Sequence, residues 1–343
     1  MQKQRIYSLS AVAAIGLISS LGLNSCNDDG SPRTPETAKA PEIQPALPEA
    51  PAATASPEES ALLDYMLYNV GNMVGKQAAN PLWRDSVRDM RNQVESYYNS
   101  LKANQGNSIK TVRLGQLYAD ITLNLAAFDK AIDIYNSVLK DWEELPESDR
   151  TSIEGRRIRS AIANGTGSAL LSRRRATEAL PYYEKALEID TEIFNELLPP
   201  DSNGVLPPGD GASKDLERAA EDLVSSYRCL GECQFIADDP EEARDTYKKG
   251  QELVTRMNNL RPSVTLQFIR LLSSMGNLES NVGETKRAFA AWSSAANLAQ
   301  RLLRTAPSAS VQAQVRNFLR ELEPSIKSVG QKLKEASAAE QAQ

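Results

Sequence analysis

Small and apolar residues recur at one fixed spacing in four segments of the chain. In each segment a small residue is followed by another after 12 positions, by an aromatic residue after 4 more, and by a small or branched apolar residue after a further 3. This pattern predicts two helices packed side by side, because small residues permit a close approach and the ring fills the remaining gap. The four sets are Ala119, Ala131, Tyr135 and Val138; Gly167, Ala179, Tyr183 and Ala186; Gly231, Ala243, Tyr247 and Gly250; and Gly276, Ala288, Trp292 and Ala295.

The third segment carries the clearest local helix signals. Asp239 is a good N-cap residue, and Pro240 suits the first helical turn because its missing N–H costs nothing there. Leu230 and Gly231 precede this turn, and Ala243 and Tyr247 follow it. The segment 227–254 therefore predicts a pair of short antiparallel helices.

The order Leu-Gly, then Ala after twelve residues, then an aromatic after four more resembles the tetratricopeptide repeat. The resemblance implies an all-α fold, a right-handed solenoid of helical hairpins, because one hairpin cannot bury its own apolar face. Successive second-helix alanines are 48, 64 and 45 residues apart, whereas the family period is about 34, so longer helices and loops are expected. We expect repeats at about 108–145, 149–198, 214–260 and 262–305, the second beginning at Ser148 and Asp149 and followed by a long loop over 199–213.

The ends of this solenoid are predicted to be divergent capping helices. A capping box at Ser56 to Glu59 opens the N-terminal cap, residues 57–103, and residues 308–336 form the C-terminal cap. Pro324 is expected to kink or split the C-terminal cap. Its apolar residues would seal the last repeat, although a dimerising coiled coil is an alternative use of the same stripe. That stripe comprises Val311, Val315, Phe318, Leu322, Ile326, Val329 and Leu333.

The first 25 residues read as a secretory signal. Lys3 and Arg5 precede an apolar run that is short for a membrane span. Leu23, Asn24, Ser25 and Cys26 resemble the lipobox of bacterial lipoproteins, which implies that Cys26 becomes the lipidated first residue of the mature chain. An ordinary cleaved signal and an uncleaved anchor are the alternatives. With Asn27 after the cysteine, the resemblance implies a place in the outer membrane, facing the periplasm.

Residues 26–56 predict a disordered tether. Six prolines lie between Asn27 and Ser56, with no aromatic residue, so the segment cannot bury enough apolar surface to fold. The folded domain is expected over residues 57–337.

Charge and composition argue against several classes of function. The net charge is −6, and losing Lys3 and Arg5 with the signal would change it from −6 to −8, which argues against a nucleic-acid partner. The chain has no histidine, which excludes histidine-dependent triads and histidine metal ligands. Cys229 and Cys233 are interpreted as small core residues, and no metal or cofactor is expected.

The family resemblance implies that the first helices line a concave groove. In that family the groove residues lie six and three before, and one, four or five after, the small anchor residue. Carried onto this chain, these positions are Arg113, Gln116, Asp120, Asn124, Asn164, Ser168, Ser172, Arg228, Glu232, Phe235, Arg270, Ser273, Asn277 and Asn281. They are mostly polar, which suits hydrogen bonding to an extended peptide segment. A solvated face that binds nothing remains the alternative.

These observations favour a membrane-anchored scaffold or adaptor for other envelope proteins, held by the bilayer through Cys26. A helical-repeat lipoprotein that captures glycans or solutes is the alternative, and it would need exposed aromatic pairs. An enzyme ranks third, and a clustered, buried carboxylate pair would favour it. The sequence does not identify the partner or the oligomeric state.

Overall fold

A computed structural model describes residues 84–199, 213–257, 261–305 and 308–341 of the chain. This described part is all-α and contains no strand. The predicted signal, lipobox and tether, the first half of the predicted N-terminal cap and most of the predicted 199–213 loop lie outside the described residues. The helices are α1 Arg84–Gln105, α2 Ile109–Asn124, α3 Phe128–Glu143, α4 Glu147–Thr151, α5 Ile153–Ser172, α6 Ala176–Leu197, α7 Lys214–Ile236, α8 Pro240–Thr255, α9 Pro262–Asn281, α10 Thr285–Thr305 and α11 Ala309–Gln341.

Several helices begin at a side-chain cap, so their starts follow directly from the sequence. The hydroxyl of Ser108 accepts from the backbone N–H of Thr111 at the start of α2, and Ser213 caps α7 in the same way. The Asp239 carboxylate caps α8 immediately before Pro240, as predicted. Each cap satisfies one of the backbone donors that the first turn of a helix leaves without a partner.

The start of the second hairpin differs from the prediction. Ser148 and Asp149 belong to the short helix α4, and the long helix α5 starts at Ile153. Ser152 has extended backbone angles and accepts from the N–H of Gly155, so it ends one helix and caps the next. The hydrogen bond of the Ser152 side chain favours a break at this position, because a serine hydroxyl bonds to nearby backbone groups more readily outside a helix than within one.

Four helical hairpins stack in chain order: α2 with α3, α5 with α6, α7 with α8, and α9 with α10. The first helices also contact one another, α2 with α5, α5 with α7, and α7 with α9. The first helices therefore form a continuous row along one side of the stack. Helix α1 packs on α2, and α11 packs on α10 and touches α9.

An aromatic ring lies against a glycine inside three of the hairpins. A methyl group added at Gly167 would lie 3.0 Å from Tyr183, and one at Gly231 would lie 2.5 Å from Tyr247. Gly276 has the same relation to Trp292. Tyr183, Tyr247 and Trp292 are all buried, so these small residues set how closely the paired helices approach.

The C-terminal helix is longer than predicted and is not split. It runs through Pro324 to Gln341 without interruption. Pro324 is exposed, while Leu322 and Val329 on either side are buried. Burial of the flanking apolar residues holds the helix across the position where proline removes one hydrogen bond.

The apolar stripe of α11 is covered within the chain. Val311, Val315, Leu322 and Val329 are buried in one cluster with Trp292 and other residues of α9 and α10. The stripe therefore seals the last hairpin in this structure.

Replacing Gly231 with leucine tests the close approach of α7 and α8. The larger side chain would collide with the buried ring of Tyr247, and Gly231→Leu should lower the free energy of unfolding by ~1–3 kcal/mol or more. Lys249→Leu, at an exposed position of α8, is the control and should change it little. Urea unfolding followed by circular dichroism measures both, and equal midpoints would contradict the described packing.

Candidate functional site

A polar pocket opens on the row of first helices, between α2, α5 and α7. Its empty volume, counted with its open mouth, is about 980 Å³. Residues of α3 and α6 close its floor. The polar and charged lining comprises Arg113, Gln116, Asp120, Tyr135, Arg157, Ser160, Asn164, Ser168, Ser172, Asp190, Arg218, Asp222, Ser225 and Cys229.

Six of the residues predicted for the groove meet in this pocket. They come from the first two hairpins and comprise Arg113, Gln116, Asp120, Asn164, Ser168 and Ser172. Asn124 lies one helical turn beyond Asp120 and donates to the Asp120 backbone carbonyl at 2.8 Å. The offsets taken from the repeat resemblance therefore coincide with pocket-lining residues on α2 and α5.

The predicted groove residues of α7 and α9 form a separate cluster. Arg228 is only 4% exposed, and its Nη1 donates to both Glu232 carboxylate oxygens at 2.8 Å. Ser274 of α9 also donates to Glu232, at 2.6 Å. Arg228 and Glu232 therefore join α7 to α9 as a largely buried ion pair, instead of facing an open groove.

Arg270 belongs to the same cluster and reaches the C-terminal helix. Its Nη2 donates to Gln314 Oε1 of α11 at 3.3 Å. Burial lowers the pKa of Arg270 to about 10, and the neighbouring positive charge of Arg228 acts in the same direction. Of the other predicted residues, Ser273 and Phe235 are half-buried, and Asn277 and Asn281 are exposed.

In three of the four hairpins, the residue after the small anchor bonds to the aromatic residue of its own hairpin. Tyr135 donates its hydroxyl to Asp120 Oδ1 at 2.5 Å. The Tyr183 hydroxyl and Ser168 Oγ are 3.0 Å apart. In the fourth hairpin, Trp292 donates its ring N–H to Asn277 Oδ1 at 3.2 Å. These groove positions are consequently oriented by the packing of the hairpin.

Three carboxyl groups line the pocket, and burial raises the pKa of each. The pKa of Asp120 rises to about 7, although bonds from Tyr135 and Gln116 oppose the shift. Burial also raises the pKa values of Asp190 and Asp222, and the negative charge of Asp190 raises the pKa of Asp222 further. All three groups are poorly solvated, and Asp190 and Asp222 also repel each other.

Asp190 is fixed by hydroxyl groups at the floor of the pocket. It is 3% exposed, and Ser226 donates to its Oδ2 at 2.6 Å. Asn164 in turn donates from Nδ2 to Ser226 Oγ at 3.3 Å. This chain of bonds joins α5, α6 and α7.

The sequence analysis did not identify Arg157, Asp190, Arg218 or Asp222 as site residues. Arg157 and Asp222 lie ten and nine positions before the anchors Gly167 and Gly231, beyond the family offsets, because α5 and α7 extend further at their N-termini. Asp190 did carry a signal: it continues the buried stripe Tyr183, Ala186 and Ile193 of α6. A carboxylate at a core position of an amphipathic helix is costly to bury unless a hydrogen-bond donor or a cation lies beside it.

The two cysteines of α7 have different surroundings, and both are free thiols. Cys233 is buried, and its thiol donates to the Ala176 carbonyl at 3.3 Å, consistent with the predicted core role. Cys229 is half-buried and lines the pocket. Burial raises the pKa values of both thiols, that of Cys233 to about 12.

Within the described ranges, no group of three or more Cys, Asp or Glu side chains is arranged to hold a metal ion. None of the helices in that part of the chain is both long and apolar enough to cross a membrane.

The raised pKa of Asp120 predicts a pH dependence of stability. Between its unfolded value of 3.8 and its folded value of about 7, the folded state binds more protons, so stability falls as pH rises through this window. Relative to Asp120→Asn, the wild type should lose on the order of 1–3 kcal/mol of unfolding free energy between about pH 5 and about pH 8.

Urea unfolding at the two pH values measures this difference. Asp245→Asn, at an exposed position of α8, is the control and should follow the wild type at both. Parallel pH curves for the wild type and Asp120→Asn would show that Asp120 is ionised normally in the folded protein.

Comparison with known proteins supports the fold. No protein-family model matches the sequence, and no curated protein matches it. In fold the chain is similar to BtubC (BKLC) from P. vanneervenii, whose crystal structure aligns with a TM-score of 0.50 and 16% identity over 71% of this chain and 87% of that one. A likeness at this identity shows architecture alone. The chain is thus an all-α protein of stacked helical hairpins.

Proposed function

We propose that this protein is a tetratricopeptide-repeat-like lipoprotein that acts as a scaffold or adaptor for other envelope proteins. Its partners would bind in the pocket formed by α2, α5 and α7. The bilayer would hold it through acylated Cys26 at the outer membrane, with the helical domain in the periplasm.

The observation that carries this proposal is that the polar pocket spans three successive hairpins. Its lining includes guanidinium, carboxylate, amide and hydroxyl groups from α2, α5, α6 and α7. An extended segment lying across the row of first helices would meet donors and acceptors at several points. Such spaced polar contacts suit the carbonyl, amide and side-chain groups of a peptide.

The anchor proposal rests on the sequence of the first 56 residues. The apolar run ends at a lipobox-like tetrapeptide, and a proline-rich tether follows Cys26. Each buried methylene of an acyl chain contributes ~0.8 kcal/mol, so two or three chains hold a protein on a bilayer. The tether would separate the helical domain from the membrane surface.

A hydrolytic enzyme is the second candidate, because Asp190 and Asp222 are neighbouring, largely buried carboxyl groups of the kind that would favour one. Carboxyl groups with raised pKa values suit general acid–base chemistry near neutral pH. Asp190, however, is bonded at the floor and nearly inaccessible. An enzyme with one accessible carboxyl group is therefore less well supported than a binding pocket. Glycosidase or peptidase activity that is lost in Asp222→Asn would instead favour the enzyme.

Glycan or solute capture has weaker support from the pocket. Sugar rings are held by stacking on exposed aromatic faces. Of the two aromatic residues in the lining, Tyr135 is fully buried and Phe128 is half-buried. The pocket therefore favours hydrogen bonding over stacking.

Replacing Cys26 tests the anchor. Cys26→Ala should move the protein from the membrane fraction to the soluble fraction, or leave it unprocessed, because the acylated thiol is removed. Immunoblots of fractionated cells measure the distribution, and Cys229→Ala, which leaves Cys26 in place, is the matched control. A Cys26→Ala protein that stays membrane-bound with its signal removed would rule out lipid anchoring.

Site-specific crosslinking tests the binding surface. A photoreactive amino acid at Ser172, in the pocket, and one at Asn277, on α9 of the same row, should each capture the same envelope protein in living cells. A crosslinker at Lys249, exposed on α8, is the control. Capture from Lys249 alone, or from none of the three, would contradict a partner bound along the first helices.

A further inference from the structure

The pocket lining holds three arginines and three aspartates, but two of the arginines are paired with carboxylates outside the lining. Arg113 forms an ion pair with Glu154, and Arg157 donates from Nη1 to Asp215 at 2.8 Å. Neither Glu154 nor Asp215 lines the pocket, so each arginine has a carboxylate partner at the pocket edge, and Arg157 Nε also lies 4.0 Å from Asp222 Oδ2. Asp120, Asp190 and Asp222 are left facing the pocket with Arg218 as the remaining lining cation.

Of the three carboxylates, Asp222 makes the weakest ion-pair and hydrogen-bond contacts with the rest of the protein. Its ion pair is with Arg157 Nε, 4.0 Å from Oδ2, and no donor within the described ranges bonds to it. About 14% of the side chain is exposed. The negative charges of Asp190 on α6 and Glu221 on α7 raise the pKa of Asp222, and the positive charges of Arg218 on α7 and Arg157 on α5 oppose them.

Asn164, which also lines the pocket, carries a neutral acceptor that has no donor among the described residues. The Asn164 amide nitrogen is held by Ser226, which fixes the orientation of the side chain. Its Oδ1 is buried and has no hydrogen-bond partner in the part of the chain that the structure describes. A buried acceptor of this kind costs free energy unless a ligand or water donates to it.

We infer that the pocket takes the basic side chain of a lysine or arginine in an extended segment of a partner protein. Asp222 is its ion-pair partner, and Asn164 Oδ1 accepts a further hydrogen bond from it. This inference rests on the proposed binding function of the pocket.

The chemistry of the pocket distinguishes this ligand from other cations. Lysine and arginine bring three and five N–H donors, which match a carboxylate and an amide oxygen that both lack donors. The described residues hold no cluster suited to a metal ion. The chain is acidic overall, with a net charge of −6, which draws a basic partner segment towards it.

The raised pKa values of the three carboxyl groups are consistent with a pocket that binds a basic side chain. They result first from burial and, for Asp222, next from the charge of Asp190. A bound cation would lower them, because an opposite charge close by favours the ionised form. Binding should therefore weaken as the pH falls from about 8 to about 5.

The test uses the full chain in a mild non-ionic detergent with a matched pair of peptides. Both are short, acetylated, amidated glycine-serine peptides; one has arginine at its centre, and the other has citrulline, the neutral analogue of similar shape. Calorimetry and competition measure their dissociation constants. The arginine peptide should bind at least about tenfold more tightly than the citrulline peptide.

Asp222→Asn should remove that preference. It should weaken binding of the arginine peptide by at least about tenfold and leave the affinity for the citrulline peptide unchanged. Asp245→Asn removes the same charge from an exposed position of α8 and should leave both affinities as in the wild type. If Asp222→Asn does not fold, Ala161→Lys replaces it: a lysine at this half-buried lining position would occupy the pocket and should abolish the preference.

Several outcomes would overturn the inference. They are equal binding of the two peptides, no measurable binding of the arginine peptide at millimolar concentration, and an arginine preference that survives both Asp222→Asn and Ala161→Lys. Spermidine binding that depends on Asp222, without peptide binding, would identify a free polyamine as the ligand and would also overturn it.

Failure of this inference can be told apart from failure of the proposed function. Crosslinking of one partner from Ser172 and Asn277, without an arginine preference, would refute only the basic side chain. An arginine preference dependent on Asp222, without capture of an envelope protein, would refute the scaffold function and leave the cation pocket in place.

Discussion

The close approach of paired helices, with an aromatic ring set against glycine, is the interaction on which the rest of this structure depends. In three hairpins the glycine of the first helix leaves room for Tyr183, Tyr247 or Trp292 from the second. The buried ring fills the gap and then uses its polar atom on a groove-side residue, as Tyr183 does with Ser168 and Trp292 does with Asn277. One contact thus sets the helix spacing and orients part of the polar face.

The polar face follows from the same packing, because the first helices stand in a row while the rings occupy the space behind them. Where α2, α5 and α7 meet, the row forms a pocket with Asp120, Asp190 and Asp222 in its wall. Between α7 and α9 the corresponding residues pair with each other, as Arg228 does with Glu232. The same row is therefore open at one end and closed by internal ion pairs at the other.

The sequence predicted the hairpins well because their determinants are local. The 12, 4 and 3 spacing, the Asp239 cap and Pro240 all act within one hairpin. The pocket was predicted only in part, since residues such as Gln116 and Asn164 lie at the family offsets, whereas Asp222 lies beyond them on a longer helix. Burial of Arg228 depends on how α9 packs on α7, and the break at Ser152 depends on a cap outcompeting a helix. Neither the packing of α9 on α7 nor the local capping by Ser152 can be read from the repeat spacing alone.

The accessibility of Cys229 tests the central claim, that the pocket on the first helices is occupied by a partner in the envelope. Cys229 lines the pocket, and buried Cys233 on the same helix is an internal control. Alkylation by N-ethylmaleimide, followed by mass spectrometry, would be compared between native envelope membranes and the purified chain. The account predicts that Cys229 reacts at least about tenfold more slowly in the membranes, with Cys233 unreactive in both. Equal rates at Cys229 would contradict it.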